Sequence, residues 1–209
     1  MPAIVRVAEH EVNDRLRELR TPRKALLEVV RGAVAAFAEC TGDDPPGAAG
    51  YETYRGGTRD LRYHLRRQKS GWQIDNEGNL ASSRNDKVGI RLIVLNTDDA
   101  TGDPDPARNP KNRRKKGVLH ERAIEGESMW FSGFEPEERV SHRPWYLCLC
   151  ISDAKVLAEL SRPSAMIGGY ITSWEERIIL ISPGEWDRIR FDDVDSDDGP
   201  EPEILVRRK

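Results

Sequence analysis

The chain has 209 residues, of which 33% are charged and 37% hydrophobic, and its net charge is -3 at neutral pH. This length is typical of one domain with a single core. A negative net charge excludes a general electrostatic attraction of the whole molecule to nucleic acid or to an anionic membrane, so any such affinity must be local.

No run of about 18 apolar residues is present, and the first residues do not resemble a secretory signal. We therefore expect a soluble, cytoplasmic protein that does not bind a membrane. The number of cysteines is odd, and Cys148 and Cys150 alternate in an apolar run, which on a strand points both to the same face. This pattern favours buried thiols in a reducing compartment. A metal-binding pair is the alternative, but no second Cys/His pair at ligand spacing accompanies it.

The most regular helical pattern begins at Thr21 and Pro22. Threonine can cap free backbone amides, and proline is tolerated in the first turn of a helix. The helix is predicted to end at Thr41-Gly42, and we expect its apolar face to pack on a sheet. That face consists of Leu26, Val29, Val30, Ala33, Val34 and Phe37.

Aromatic and basic residues are interleaved between Tyr51 and Trp72. Thr58 is predicted to cap a short helix with Leu61 and Leu65 inward and its arginines outward. Because arginine and lysine neutralise phosphates and tyrosine stacks on bases, the segment predicts a nucleic-acid-binding surface. A solvated helix face paired with the chain's own acids is the alternative. The candidate contacts are Tyr54, Arg55, Arg59, Arg62, Tyr63, Arg66, Arg67 and Lys69.

Two short apolar runs, Lys87 to Leu95 and Trp145 to Ile151, predict buried central strands. Residues 96–117, between them, are dense in Asp, Pro, Asn, Arg and Lys and predict a basic loop. A loop this long is either mobile or functional. It is suited to contact a phosphate backbone, and an exposed loop kept soluble by charge is the alternative. Its candidate contacts are Arg108, Lys111, Arg113, Arg114, Lys115 and Lys116.

After the second strand, Ser152 is predicted to cap a helix that continues to Leu160. Residues 170–174 and 177–181 are predicted to pair as a hairpin with a turn at Glu175-Glu176. Residues 192–203 carry seven acids and no base, which predicts a flexible acidic segment. This order of elements predicts one α+β domain over residues 1–209, with a mixed or antiparallel central sheet and the N-terminal helix packed on it.

Carboxylates follow both predicted central strands. Asp98 and Asp99 follow the first strand, and Asp153 and Lys155 follow the second. Carboxylates bind hard cations such as Mg²⁺, and a lysine can stabilise charge on a phosphate. If the two strand ends are adjacent, Asp98 and Asp153 would ligate a metal, and all four residues would form a catalytic site. The alternative is that Asp153 only complements a helix N-terminus.

These patterns favour a nucleic-acid-binding protein. Metal-dependent cleavage of DNA or RNA, with Mg²⁺ as the cofactor, is a further hypothesis. The alternative is a non-enzymatic protein-interaction module that binds a protein partner through Trp130, Phe131, Phe134 and Trp145. Nucleotide-dependent enzymes and serine hydrolases are disfavoured, because their glycine-rich and nucleophile motifs are absent.

Overall fold

The computed structural model describes residues 2–126 and 142–186, in which seven strands form one mixed sheet accompanied by four α-helices. The predicted α+β class is confirmed. The helices are α1 (Glu9–Glu18), α2 (Arg23–Ala38), α3 (Ala48–Arg67) and α4 (Val118–Glu125). The strands are β1 (Ile4–Arg6), β2 (Trp72–Asp75), β3 (Ser82–Asn85), β4 (Ile90–Asn96), β5 (Arg143–Ser152), β6 (Lys155–Ile167) and β7 (Tyr170–Ile181). None of the described helices is long and apolar enough to cross a membrane.

The strands lie in the order β1-β7-β6-β5-β4-β3-β2. Strands β4 and β5 are parallel, as are β1 and β7, and the other neighbours are antiparallel. Asn96 at the end of β4 lies opposite Leu149 of β5. The two predicted central strands are therefore adjacent, and the residues that follow them emerge at the same end of the sheet. We call this region the β4–β5 end.

The two faces of the sheet belong to different hydrophobic clusters. Leu92 and Val94 of β4, with Leu147 of β5, pack in one cluster with the buried residues of α2 and α3. Tyr146 and Cys148 of β5 lie in the other cluster. Strict alternation along β4 and β5 thus separates a helix-covered face from a second face. The second face is covered by α4, the loop at 97–117 and the distal half of the β6–β7 hairpin.

Helix α3 is longer than the sequence predicted. It begins at Ala48, ten residues before the predicted cap at Thr58, which instead lies buried in mid-helix. Glycines lower helix propensity, yet α3 contains Gly56-Gly57 in its interior. In the fold they allow close packing, because a Cβ at Gly56 would lie only 2.8 Å from that of Ala36 in α2. The predicted inward residues Leu61 and Leu65 are buried.

The predicted helix after Ser152 is wrong. Residues Asp153-Ala154 form a two-residue turn, and Ser152 pairs with Lys155 at the start of β6. The sequence was misleading because β6 is buried on both faces from residue 156 to 161, so that no alternating pattern appears. Pro163 lies at an irregular position in the β6–β7 pairing, where a strand tolerates proline.

The predicted turn at Glu175-Glu176 is also wrong, because β7 is continuous from Tyr170 to Ile181. The turn lies at Gly168-Gly169, whose φ angles are 59° and 88°. Two consecutive glutamates suggested a turn, but Glu176 is buried in the strand. Its carboxylate oxygens lie 2.6 Å from the Nε of Arg6 and 2.8 Å from the Nη2 of Arg15.

The predictions for the cysteines, the aromatic contact surface and the acidic segment fall partly within the described residues and partly outside them. Cys148 and Cys150 are buried free thiols on β5, as predicted. Trp145 is 1% exposed and belongs to the core, so it cannot be part of the predicted contact surface. The other aromatics of that surface, Trp130, Phe131 and Phe134, and the acidic segment at 192–203 lie outside the described residues.

Candidate functional site

The basic loop is fastened to the sheet by a buried arginine. Arg177 of β7 donates from Nη1 to the carbonyl of Arg108 at 2.7 Å and from Nη2 to that of Ala100 at 3.2 Å. Its charge is balanced by Glu159 of β6, and the Nη2–Oε2 distance is 2.6 Å. Glu159 also accepts the backbone N–H of Gly102 at 2.7 Å. One ion pair between two strands thus binds three backbone groups of the loop, at Ala100, Gly102 and Arg108.

Two further side chains hold the second half of the loop. The indole of Trp174 donates to the carbonyl of Pro110 at 3.0 Å. The amide of Asn112 donates to the carbonyl of Gly169 at 3.0 Å and accepts the N–H of Ile171 at 2.9 Å. The loop therefore has defined anchors on β6 and β7.

Four consecutive cations follow these anchors, namely Arg113, Arg114, Lys115 and Lys116, and we call them the basic cluster. Arg113 donates from Nε to the carbonyl of Thr97 at 2.9 Å, at the end of β4. The guanidinium of Arg114 lies against Gly47, where a Cβ would collide with it. The ammonium of Lys116 lies 5.9 Å from the ring centroid of Tyr54 in α3. Arg113, Arg114 and Lys116 are thus held between the β4–β5 end and the first turns of α3, whereas the side chain of Lys115 lies against Gly169 in the β6–β7 turn.

The basic cluster forms no ion pair with a carboxylate of residues 2–126 or 142–186. Burial, and secondarily the charge of Arg114, lowers the pKa of Lys116. Burial, and secondarily the charge of Lys116, lowers the pKa of His120 to about 4. The secondary cause of each shift shows that Arg114, Lys116 and His120 lie close enough to interact electrostatically.

A groove of about 620 Å³ adjoins the basic cluster, and we call it the edge groove. It lies between the α2–α3 connection and the β5–β6 turn, and its lining includes Gly47, Asp153, Lys155 and Trp186. Helix α3 starts at this groove with no acid in its first turn and with Gly47 as a left-handed cap. The partial positive charge of a helix N-terminus therefore adds to that of Arg114 beside it.

The predicted catalytic residues lie at this end of the sheet but serve different contacts. Asp98 accepts, through Oδ1, the N–H groups of Ala100 at 3.3 Å and Lys111 at 3.1 Å, and so shapes the loop. Asp99 lies 4.0 Å from the Nζ of Lys155. Asp153 is exposed in the β5–β6 turn. In the described part of the chain, no group of three or more histidine, cysteine or acidic residues could hold a metal ion.

Several predicted nucleic-acid contacts are already paired within the chain. Arg62 is half-buried and donates to the carbonyl of Asp75 at 3.1 Å and to the amide oxygen of Asn76 at 2.6 Å. Its guanidinium is therefore already bound to groups at the end of β2. Three exposed arginines pair with acids in the solvated manner of the alternative interpretation; the pairs are Arg55–Glu52, Arg59–Asp60 and Arg108–Asp103.

The remaining predicted contacts are exposed and separate from the basic cluster. Arg66, Arg67 and Lys69 lie near the C-terminal end of α3, about 27 Å along a 20-residue helix from its start. Arg67 stacks over the ring of Tyr63, with 5.3 Å between its guanidinium carbon and the ring centroid. Lys111 is exposed in the loop. The two predicted basic segments thus meet only at the first half of α3.

Sequence reasoning did not identify Gly47, Asn112, Trp174 or Trp186 as parts of this region. The proline-glycine stop at 45–47 was the one available signal, because a glycine before a helix permits close approach by another group. The anchors carried no signal of their own, since asparagine and tryptophan are common in loops and strands. Their partners come from chain segments 57 to 64 residues away.

No protein-family model matches the chain, and no significant match was found among curated proteins or solved structures.

Proposed function

We propose that this protein binds nucleic acid at the β4–β5 end, with the basic cluster contacting backbone phosphates. One observation carries the proposal: four consecutive cations are held on an anchored loop beside the start of α3, without a carboxylate partner in the described residues. A surface cation that serves only solubility does not need a loop fixed to the sheet, and it does not need to lie apart from carboxylates. Phosphate supplies the missing negative charge.

The types of side chain in the basic cluster suit a phosphodiester backbone. The fork of an arginine can bind two phosphate oxygens at once, and a lysine acts as a compact point charge. Tyr51 is 59% exposed on the first turn of α3, beside Gly47, and offers a flat face on which an unpaired base can stack. These contacts favour single strands or strand ends, with little reading of base sequence.

Local charge overcomes the negative net charge of the chain over short distances. Screening limits the reach of distant exposed charges to about 8 Å at physiological ionic strength. A phosphate at the basic cluster therefore experiences its four cations and the α3 terminus far more than acids elsewhere. Binding is accordingly expected to be salt-sensitive.

Cleavage of nucleic acid is a separate hypothesis, which the contacts of the basic cluster do not support. The approach of Asp99 to Lys155 and the position of Asp153 at the edge groove leave Mg²⁺-dependent hydrolysis of DNA or RNA as a prediction from the sequence. The binding proposal does not depend on it.

The proposal is tested by measuring the affinity of the full chain for a labelled single-stranded oligonucleotide at low salt. Arg114→Gln combined with Lys115→Gln should weaken binding about tenfold, because two charge-assisted phosphate contacts are lost. Arg108→Gln, which removes one charge, is the control for a paired cation, since Arg108 lies in the same loop but is paired with Asp103 at 2.9 Å. Equal effects of the two variants, or no binding by the parent protein, would refute the proposal.

A further inference from the structure

The charges of the chain are divided unevenly. Residues 192–203 contain seven of its 36 acids and none of its 33 bases. The net charge of the whole chain is -3, so the rest of the chain carries +4. The negative sign of the whole molecule therefore comes from one short segment.

This acidic segment follows closely after a residue that borders the candidate site. The described chain reaches Trp186, which lines the edge groove and packs partly against the core. Gly47 lines the same groove, and the guanidinium of Arg114 lies against Gly47. Trp186 and the basic cluster are thus neighbours of one groove.

The intervening chain is long enough to connect them. Five residues lie between Trp186 and Asp192, and the six extended Cα–Cα steps from one to the other span about 20 Å. A groove of about 620 Å³ has a width on the order of 10 Å. A connection of that length exceeds the width of the groove, so its length permits the first acids to reach the basic cluster.

Resting on the proposed function, we propose that residues 192–203 bind the basic cluster of the same chain and compete there with nucleic acid. The spacing of the acids resembles a polyanion, with carboxylates at Asp192, Asp193, Asp195, Asp197, Asp198, Glu201 and Glu203. Four cations without a carboxylate partner in the described residues provide the complementary charges. The segment is thus an intramolecular competitor that sets a threshold for nucleic-acid binding.

Tethering makes weak contacts sufficient for this role. A segment joined by a short linker has an effective concentration in the millimolar range. Individual exposed ion pairs contribute about 0.2–1 kcal/mol, so several together give a competitor that nucleic acid can displace. Because both binding modes use the same charges, salt weakens both.

The first measurement detects the contact in the absence of nucleic acid. In the full chain at low salt, a zero-length carbodiimide cross-linker should join carboxylates of 192–203 to the Nζ of Lys115 or Lys116, as identified by mass spectrometry. The cross-links should form within one chain, independently of protein concentration, and should be lost at high salt. Cross-links only between two copies, or none to these lysines, would overturn the proposal.

The second measurement detects competition by comparing two variants with the same change in net charge. Asp195→Asn, Asp197→Asn and Asp198→Asn together should tighten oligonucleotide binding by about fivefold at low salt. Glu9→Gln, Glu11→Gln and Glu125→Gln together remove three exposed acids elsewhere and should change affinity by less than about twofold. Equal effects of the two triple variants would overturn the proposal.

The two measurements separate failure of the inference from failure of the proposed function. If the parent protein binds nucleic acid but neither the cross-links nor the difference between the variants is found, only the intramolecular competition is wrong. If the cross-links form but neither the parent nor the acid-neutralised variant binds nucleic acid, the proposed function is wrong, and competition with nucleic acid is overturned with it.

Discussion

Glu159 and Arg177 form an ion pair between the adjacent strands β6 and β7, with both side chains fully excluded from solvent. The Nη2–Oε2 distance is 2.6 Å, and the Nε of Arg177 donates to the other carboxylate oxygen at 2.9 Å. Ser161 and Gly102 complete the hydrogen bonds of the carboxylate. Because Arg177 also binds loop carbonyls, this pair connects the core to the segment that carries the basic cluster.

We expect Arg177→Met to lower the free energy of unfolding by about 3–5 kcal/mol, because it leaves the carboxylate of Glu159 buried without its partner. Denaturant unfolding monitored by tryptophan fluorescence measures the change. The double variant Glu159→Met/Arg177→Met should be less destabilised than the single variant, since no buried charge remains. A loss below about 1 kcal/mol for Arg177→Met would contradict the assigned role of the pair.

The anchors of the loop predict its response to protease. Trypsin should cleave the basic cluster of Arg177→Met at least about tenfold faster than that of the parent protein, because the loop has lost its carbonyl contacts and opens locally more often. Mass spectrometry of early digests locates the cuts, and cleavage at Arg66 and Arg67 on α3 is the internal reference. Equal rates at the basic cluster in both proteins would mean that Arg177 does not hold the loop.

Burial of His120 predicts a pH dependence of stability. The Nδ1 of His120 lies 2.8 Å from the hydroxyl of Tyr146, and the pKa of His120 falls from 6.5 to about 4. Between these values the unfolded state binds more protons than the folded state, so stability falls as pH falls. From about pH 7 to about pH 4.5, the parent protein should lose about 2 kcal/mol more than His120→Gln. Equal losses would show that His120 titrates normally.

Metal-dependent cleavage predicts a specific behaviour of Asp153. If Asp153 ligates Mg²⁺, then Asp153→Asn abolishes hydrolysis of a labelled oligonucleotide by the parent protein in Mg²⁺, and EDTA has the same effect. Asp153 lies in an exposed turn, so its substitution should leave the unfolding free energy within about 0.5 kcal/mol of the parent value. Absence of Mg²⁺-dependent cleavage by the parent protein would remove the nuclease hypothesis and leave binding unaffected.

The sequence correctly predicted those elements whose apolar residues form a regular local pattern. Strand β4 has a run of branched apolar residues at 92–95, and α2 has one apolar face, so local pattern and tertiary position agree. Strands β6 and β7 contain Glu159, Glu176 and Arg177, whose charges are neutralised by residues far away in the chain. Such pairing leaves no trace in a local window, and Glu176 was therefore interpreted as part of a turn.

The sequence identified many of the charged residues of the candidate site but not their positions relative to one another. The basic residues of the loop and the acids after β4 were identified because unusual charge density is visible in a sequence. Their proximity to Gly47 depends on the course of α3, whose start was predicted ten residues too late. Which arginines were already paired, as Arg59 is with Asp60, depends on side-chain geometry that residue spacing does not determine.

The most direct test of nucleic-acid binding at the β4–β5 end is the salt dependence of oligonucleotide affinity, measured from about 50 to 200 mM salt. The logarithm of the association constant should fall linearly with the logarithm of salt concentration, and Arg114→Gln/Lys115→Gln should reduce the slope by about 1.4 for a single strand, because two phosphate contacts are lost. The paired control Arg108→Gln should leave the slope unchanged. Identical slopes for the parent protein and the double variant would contradict phosphate binding by the basic cluster.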